Sequence, residues 1–258
     1  LGVVEGVTEF LPVSSTGHLI IVNRFLEFQG AFAEMFDIVI QMGAILAVML
    51  HFRDKLMPVA ALKDVKVRDG MLDIWFKSAV GVLPALAIGP AFGSWIQREL
   101  FNPYTVAGAL IVGGVILIAV EMKSRKEGIS GVGGIPYWMA FAIGLIQCLG
   151  MIPGTSRSAA TIIGAMLLGA SRPAAAEFSF FLAIPTLGAA SAYSLMKHGM
   201  RMSADECVAL GIGFAVSFFV AWAVIALFMR YIRSRDFKPF GYYRIALGAF
   251  VLAYFLCA

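Results

Sequence analysis

Glu5 and Glu9 stand four residues apart in a stretch that is otherwise apolar or small, Leu1-Gly2-Val3-Val4-Glu5-Gly6-Val7-Thr8-Glu9-Phe10. On a helix they share one face, with Gly2 and Gly6 beside them to let another backbone approach. Two carboxylates in a low dielectric repel, so a cation, a shared proton or a basic residue must accompany them. Such a pair suits Mg²⁺ or Ca²⁺, with phosphate oxygens completing the shell. Ser14, Ser15, Thr16 and His18 follow within nine residues of Glu9. Hydroxyls and backbone N–H groups at a turn leading into a helix form an anion site. A serine there becomes a nucleophile when a base is within reach, and either His18 or Glu9 could be that base. Far along the chain, Arg157 lies between Ser156 and Ser158. Its forked guanidinium suits a phosphate or a carboxylate. Each group has a plainer reading: a wet amphipathic turn, a Ser/Thr helix cap, a structural Arg–Glu pair. What sets them apart is that all of them fall inside apolar segments.

That setting follows from composition. The chain has 258 residues, 60% of them apolar and only 14% charged, and a mean hydropathy of +0.86. Soluble domains are about 45–50% apolar and about 25% charged. A soluble globular enzyme, a disordered chain and a disulfide scaffold are therefore excluded, and a polytopic membrane protein is indicated. The net charge of +4 is too small and too dispersed for nucleic-acid binding; it reports loop orientation instead. Cys148, Cys207 and Cys257 have no metal spacing and read as reduced core residues.

A spanning helix needs roughly 20 apolar residues. Stretches at about 35–52, 75–96, 104–122, 178–196, 206–230 and 240–258 are candidates. Two more apolar blocks, about 1–26 and 135–170, are interrupted at Pro12-Val13-Ser14-Ser15-Thr16-Gly17-His18 and at Pro153-Gly154-Thr155-Ser156-Arg157-Ser158. Each reads as two half-helices joined by a polar turn. Such turns survive in lipid only under cover of protein or water, and a matched pair of them points to a site between repeats.

A repeat is visible. Gly2–Glu5 lies over Gly144–Gln147, Pro12–Thr16 over Pro153–Arg157, and Glu34 over Glu177, at spacings of 141–143 residues. The chain is thus expected to be all-α: one membrane domain, 1–258, with a first repeat over about 1–122, a linker over 123–134 and a second repeat over about 135–258. Segments 53–73, 123–134 and 230–238 carry twelve basic residues, among them Lys63, Arg125 and Lys126, against three, including Lys197 and Arg201, in 94–103 and 197–206. Basic loops face the cytoplasm. The loops alternate consistently only if both broken blocks are re-entrant hairpins between six spans. Three spans per repeat is odd, so the halves are inverted, and Arg157 meets Glu5, Glu9 and Ser15 near the midplane. Glu34 and Glu177 read as hairpin supports, Tyr242-Tyr243-Arg244 as an interfacial anchor, Phe178, Phe180 and Phe181 as packing or lipid-facing residues, and 53–73 as a solvated loop.

Two carboxylates, a hydroxyl-rich turn, a histidine and an arginine inside lipid suit phosphoryl transfer from a lipid phosphate. The run Glu5-Gly6-Val7-Thr8-Glu9-Phe10-Leu11-Pro12-Val13-Ser14-Ser15-Thr16-Gly17-His18 resembles the first signature of the undecaprenyl-pyrophosphate phosphatase, or bacitracin-resistance, family. Pro153-Gly154-Thr155-Ser156-Arg157-Ser158 resembles the second, with Ala159 where that family often has Gly. The resemblance implies a multi-pass enzyme of the bacterial cytoplasmic membrane, its site open to the periplasm. It would hydrolyse undecaprenyl pyrophosphate to undecaprenyl phosphate, recycling the carrier for peptidoglycan, and would confer bacitracin resistance. It also implies roles: Glu5 and Glu9 as the metal-linked pair, Ser15 as nucleophile, Ser14, Thr16 and Ser156 as phosphate contacts, Arg157 as the phosphate-binding cation and His18 as acid/base. Whether Ser15 attacks or positions a water stays open, as does Glu9 as base rather than ligand. The apolar surface would permit a homodimer. A lipid-phosphate flippase on the same inverted repeat is the alternative. Lipid phosphatases of the acid-phosphatase type, which follow Ser-Arg closely with His, are excluded because no His follows Arg157 before His198.

Overall fold

The computed structural model describes residues 1–28, 30–59, 64–123, 128–198 and 202–257. Lys63, Arg125, Lys126 and Arg201 lie outside these residues, as do the side chains of Lys197, His198 and Cys257. In lipid each backbone group must be paired within its own segment, which selects helices. Two short helices come first, α1 (Gly2–Thr8) and α2 (Ser15–Phe25), then α3 (Ala31–His51), the single turn α4 (Arg53–Leu56), α5 (Val65–Leu100) and α6 (Pro103–Met122). A second short pair follows, α7 (Tyr137–Gln147) and α8 (Arg157–Leu167), then α9 (Arg172–His198), α10 (Ala204–Ile232) and α11 (Lys238–Cys257). Six of these, α3, α5, α6, α9, α10 and α11, are long and apolar enough to cross a membrane. The protein is a multi-pass membrane protein, all-helical among the described residues.

One expected loop is partly helical. Asp64 caps α5 by accepting from Lys66 N–H at 2.9 Å, so the charged residues Lys66, Arg68 and Asp69 ride on helical turns. The 36 residues of α5 make it about 54 Å long at 1.5 Å per residue, well beyond a hydrocarbon core of about 30 Å.

The short helices cross long helices of the other half of the chain. α1 packs on α10 and α7 on α5, while α3 packs on both α9 and α10, and α6 lies along α11. Both crossings of the short helices are glycine on glycine. A Cβ at Gly2 would strike the Gly213 carbonyl, and a Cβ at Gly144 would strike the Gly81 carbonyl. Small residues allow this approach, where helices gain by van der Waals contact and not by hiding from water.

The breaks in the two pairs share one geometry. Ser14 (φ 72, ψ 95) caps α2 and Ser156 (φ 70, ψ 114) caps α8. Each Oγ accepts from the N–H three residues on, Gly17 and Ala159, both at 3.2 Å. Positive φ in a non-glycine residue is strained and persists where surroundings impose it. This matches Ser14 to Ser156 and Gly2 to Gly144 at one spacing, 142 residues. At that spacing Ser15 lies over Arg157, one residue away from the register that sets Ser15 over Ser156.

The basic segments gather at one end of the bundle. There Glu121 holds Arg172 through two bonds to Oε2 and one to Oε1 and accepts from Phe237 N–H at 3.1 Å. Lys55 pairs with Glu177 at 2.6 Å. Buried Lys77 joins Asp73 to the carbonyl of Gly133. Both α7 and α8 have their outer ends here: Tyr137 bonds Asp73, and Ile129 bridges Ala170 just past α8. α2 ends at the opposite end of the bundle, with Phe25 against Tyr254. Phe178, Phe180 and Phe181 are all buried in the core. Cys148 and Cys207 are free, but Cys148 is half-buried and Cys207 exposed, so neither belongs to the core; a lipid-facing surface accepts them equally well.

Candidate active site

The two breaks meet. Ser15, first residue of α2, donates from Oγ to Glu9 Oε2 at 2.6 Å. Arg157, first residue of α8, donates from Nη2 to Glu9 Oε1 at 3.0 Å. One carboxylate thus holds a hydroxyl from its own pair and a guanidinium from the other, 148 residues away. Both ion-pair side chains are buried, at 10% and 5% exposure. A second tie joins the breaks, Ser158 Oγ to Leu11 O at 2.9 Å, and Ser158 also bonds Ser156 at 3.0 Å.

Arg157 is oriented from behind. Its Nη1 donates to Ser179 O at 3.0 Å, and its guanidinium carbon sits 5.9 Å from the centre of the Phe10 ring. Its Nε is buried with no acceptor, a donor held ready in the site. The first N–H groups of α2 and α8 have no intrahelical acceptors, and both helix N-termini face this point with their positive dipole ends. The arrangement favours an anion between Ser15 and Arg157.

The other expected residues take distinct places. Ser14 and Ser156 cap α2 and α8, their Oγ atoms accepting from Gly17 and Ala159 N–H. Thr16 lines a cleft of about 700 Å³ with Asn23, Arg24, Asp37, Gln41 and Gln97. This cleft lies at the end of the bundle away from the basic segments; it touches Thr16, the residue after Ser15, while Glu9, Ser15 and Arg157 do not line it. His18 does not touch Ser15 or Glu9. Its Nδ1 bonds Ser14 O at 2.7 Å and its Nε2 bonds Tyr243 Oη at 2.7 Å. A carbonyl only accepts, so Nδ1 carries the proton and Nε2 takes the Tyr243 hydroxyl hydrogen in the neutral ring. The base within reach of Ser15 is Glu9.

Glu5 is fully buried beside Glu9, and neither of its oxygens meets a donor. A sealed carboxyl with empty lone pairs fits a cation or a proton. Among the described residues no three His, Cys, Asp or Glu side chains gather where a metal ion could be held. Glu5 and Glu9 could hold one only as a pair, with substrate and water oxygens filling the remaining positions, as Mg²⁺ commonly accepts.

Sequence reasoning missed Tyr243 and Arg244. Arg244 is no interfacial anchor: it is 0% exposed, and its guanidinium lies among backbone carbonyls. The available signal was a lone arginine seven residues into an apolar helix, which marks a functional candidate by default. It was overridden by two tyrosines that resemble a membrane-interface belt.

Residues 1–250 match the family described as bacitracin resistance protein BacA. Curated relatives include undecaprenyl-diphosphatase 1 of Clostridioides difficile strain 630, 50% identical over 99% of this chain and 94% of that protein. The undecaprenyl-diphosphatase of Caldanaerobacter subterraneus subsp. tengcongensis is 48% identical over 98% and 93%, and that of Enterococcus faecalis 46% over 98% and 94%. With nearly the whole chain matched and the two signature turns meeting at one carboxylate, this protein belongs to the BacA bacitracin resistance family.

Proposed function

We propose that the chain is an undecaprenyl-diphosphatase, releasing inorganic phosphate from the lipid pyrophosphate and leaving the lipid monophosphate. The observation that carries this reading is the Ser15–Glu9–Arg157 contact at the converging N-termini of α2 and α8. A serine, a base and a cation meet where a phosphoryl group would be held, inside apolar helices that leave the prenyl chain in lipid.

Without substrate, Arg157 is neutralised by Glu9. An entering terminal phosphate takes over Arg157, including the unused Nε, and frees Glu9 to act on Ser15. Glu9 then accepts the Ser15 proton as Oγ bonds to phosphorus, and the bond from phosphorus to the bridging oxygen breaks, releasing the lipid monophosphate. Water next displaces Ser15 from phosphorus; Glu9 returns its proton to Oγ, and both water hydrogens leave with the released phosphate. A general base contributes about 10²–10⁴-fold. A divalent ion, Mg²⁺ or Ca²⁺, held by Glu5 with Glu9, would supply charge neutralisation at the phosphate oxygens. His18 holds the Ser14 carbonyl and so fixes the strained cap ahead of Ser15. Thr16, which lines the cleft, and Ser156 and Ser158, at the second cap, are the neighbouring hydroxyls.

The two broken pairs read as re-entrant hairpins in inverted halves, supported by the matched serine caps and glycine crossings. The end of the bundle bearing the basic segments reads as cytoplasmic, so the cleft opens to the periplasm, where recycled carrier emerges in a bacterial inner membrane. Bacitracin resistance follows if overproduction depletes the pyrophosphate lipid. The cleft at one end, against ion pairs and buried phenylalanines at the other, suits hydrolysis from one face rather than transport through both.

The test is phosphate release from farnesyl and undecaprenyl pyrophosphate by the purified protein in detergent, with and without EDTA. Release by the wild type and loss of at least about 10²-fold in Ser15→Ala, the scale expected of a nucleophile activated by a general base, support the reading. No release from folded protein with either divalent ion overturns the hydrolase. A Ser15→Ala variant with most of its rate overturns serine attack alone.

A further inference from the structure

We infer that Arg244 is a positioning residue for this site: its buried guanidinium fixes the turn bearing Glu9 and Ser15 against the turn bearing Arg157. The inference rests on the hydrolase reading above.

Arg244 lies on α11 with no exposed surface and, among the described residues, no carboxylate partner. Its acceptors are five carbonyls from three separate parts of the chain. Nη1 donates to Pro12 O at 3.3 Å, in the first break. Nη2 donates to Gly154 O at 3.2 Å and Thr155 O at 2.9 Å, in the second. Nη2 and Nε also reach Ala109 O and Leu110 O on α6, at 3.2 and 3.4 Å. Pro12 is midway between Glu9 and Ser15, and Thr155 is two residues before Arg157. One planar group therefore sets the separation and tilt of the two turns whose next residues do the chemistry.

The cost of this placement argues for a purpose. A buried charge without a counter-ion is expensive, and here only carbonyl dipoles offset it. Three of those carbonyls, of Pro12, Gly154 and Thr155, belong to non-helical turns inside an apolar bundle, so they need a donor as much as the guanidinium needs acceptors. α6 makes room for it: a Cβ at Gly113 would run into the guanidinium itself. Arg244 does not line the cleft, so it acts through the turns and not on substrate. Lysine cannot substitute, because its compact ammonium offers three donors from one point and cannot span acceptors on α6 and both turns.

A misplacement of about 1 Å costs about 10²-fold in rate. The experiment compares wild type, Arg244→Lys, Gly113→Ala, Arg157→Ala and Arg157→Ala/Arg244→Lys in phosphate release, with gel filtration and circular dichroism on each. Arg244→Lys should fold, lose at least about 10²-fold in kcat and change KM by less than about threefold, the split expected when alignment and not binding is lost. In the Arg157→Ala background the same change should cost less than about fivefold, because the geometry it protects is already gone. Gly113→Ala, which crowds the guanidinium without removing it, should lose about tenfold in kcat and is the deciding variant if Arg244→Lys does not fold. A wild-type rate in either Arg244→Lys or Gly113→Ala overturns the inference, and so does a full multiplicative loss in the double variant. An inactive wild type would instead overturn the hydrolase reading itself.

Discussion

The first and second broken helix pairs share a cap geometry and differ in chemistry. At matching positions, 142 residues apart, the first has Glu5, Glu9, Ser14 and Ser15 where the second has Gln147, Met151, Ser156 and Arg157. The caps agree to within a few tenths of an ångström in their bonds, and each pair crosses a long helix through facing glycines. Yet Gln147 is satisfied, bonding Thr186 at 3.3 Å, while Glu5 has no donor at all. The first pair borders a cleft of about 700 Å³; the second is packed under buried phenylalanines. The two breaks share a serine cap with positive φ, which on the re-entrant reading proposed above places a polar turn in lipid twice. The chemistry diverges because a phosphoryl site needs a base, a nucleophile and a cation together, and two copies of either set alone would leave like charges facing each other.

That division can be broken by experiment. The largest effect is expected from Arg157→Ala, which removes the cation supplied by the second pair. Phosphate release should fall at least about 10²-fold, the loss of one preorganised electrostatic stabiliser, and Arg157→Lys should recover little because the fork to Glu9 and Ser179 is lost. Gln147→Glu copies the first pair's charge into the second. It should destabilise the protein by about 3–5 kcal/mol, since the new carboxylate is buried without a partner, seen as a lower thermal midpoint in detergent. Glu5→Gln makes the reverse change. It should fold at least as well as wild type but need about 10–100-fold more divalent ion for half-maximal release, the usual scale for a weakened metal site. The smallest effect belongs to Tyr243→Phe, which removes one hydrogen bond to His18 worth about 0.5–1.5 kcal/mol. Its release rate should drop by no more than about tenfold, whereas an acid/base role for His18 itself would make His18→Gln lose about 10²-fold or more.

Much of this division was legible in the sequence. Glu9, Ser15 and Arg157 announced themselves because polar groups in apolar segments have few innocent explanations, and the breaks at Pro12 and Pro153 marked where the helices stop. Six spans could be read from length and hydropathy alone, since lipid leaves the backbone no other option. What could not be read depends on which side chains meet in space. His18 looked like a base because it is three residues from Ser15, but on α2 that spacing turns its ring back to Ser14 and across to Tyr243. Arg244 looked like an anchor because its neighbours are tyrosines, and only the packing of α11 on α6 shows five carbonyls around it. Which serine of each turn is the cap could not be read from residue type, because Ser14 and Ser15, like Ser156 and Ser158, are all serines; positive φ singles out Ser14 and Ser156.

The most direct test of a site shared between the two pairs is a double-mutant cycle on Glu9→Gln and Arg157→Ala, read as phosphate release from undecaprenyl pyrophosphate. Each single variant should lose at least about 10²-fold, and the double variant should be no more than about fivefold worse than the poorer single, because groups that act as one unit are not additive. Losses that multiply in the double variant would show two independent contributions, and a Glu9→Gln variant within tenfold of wild type would contradict a site built on that carboxylate.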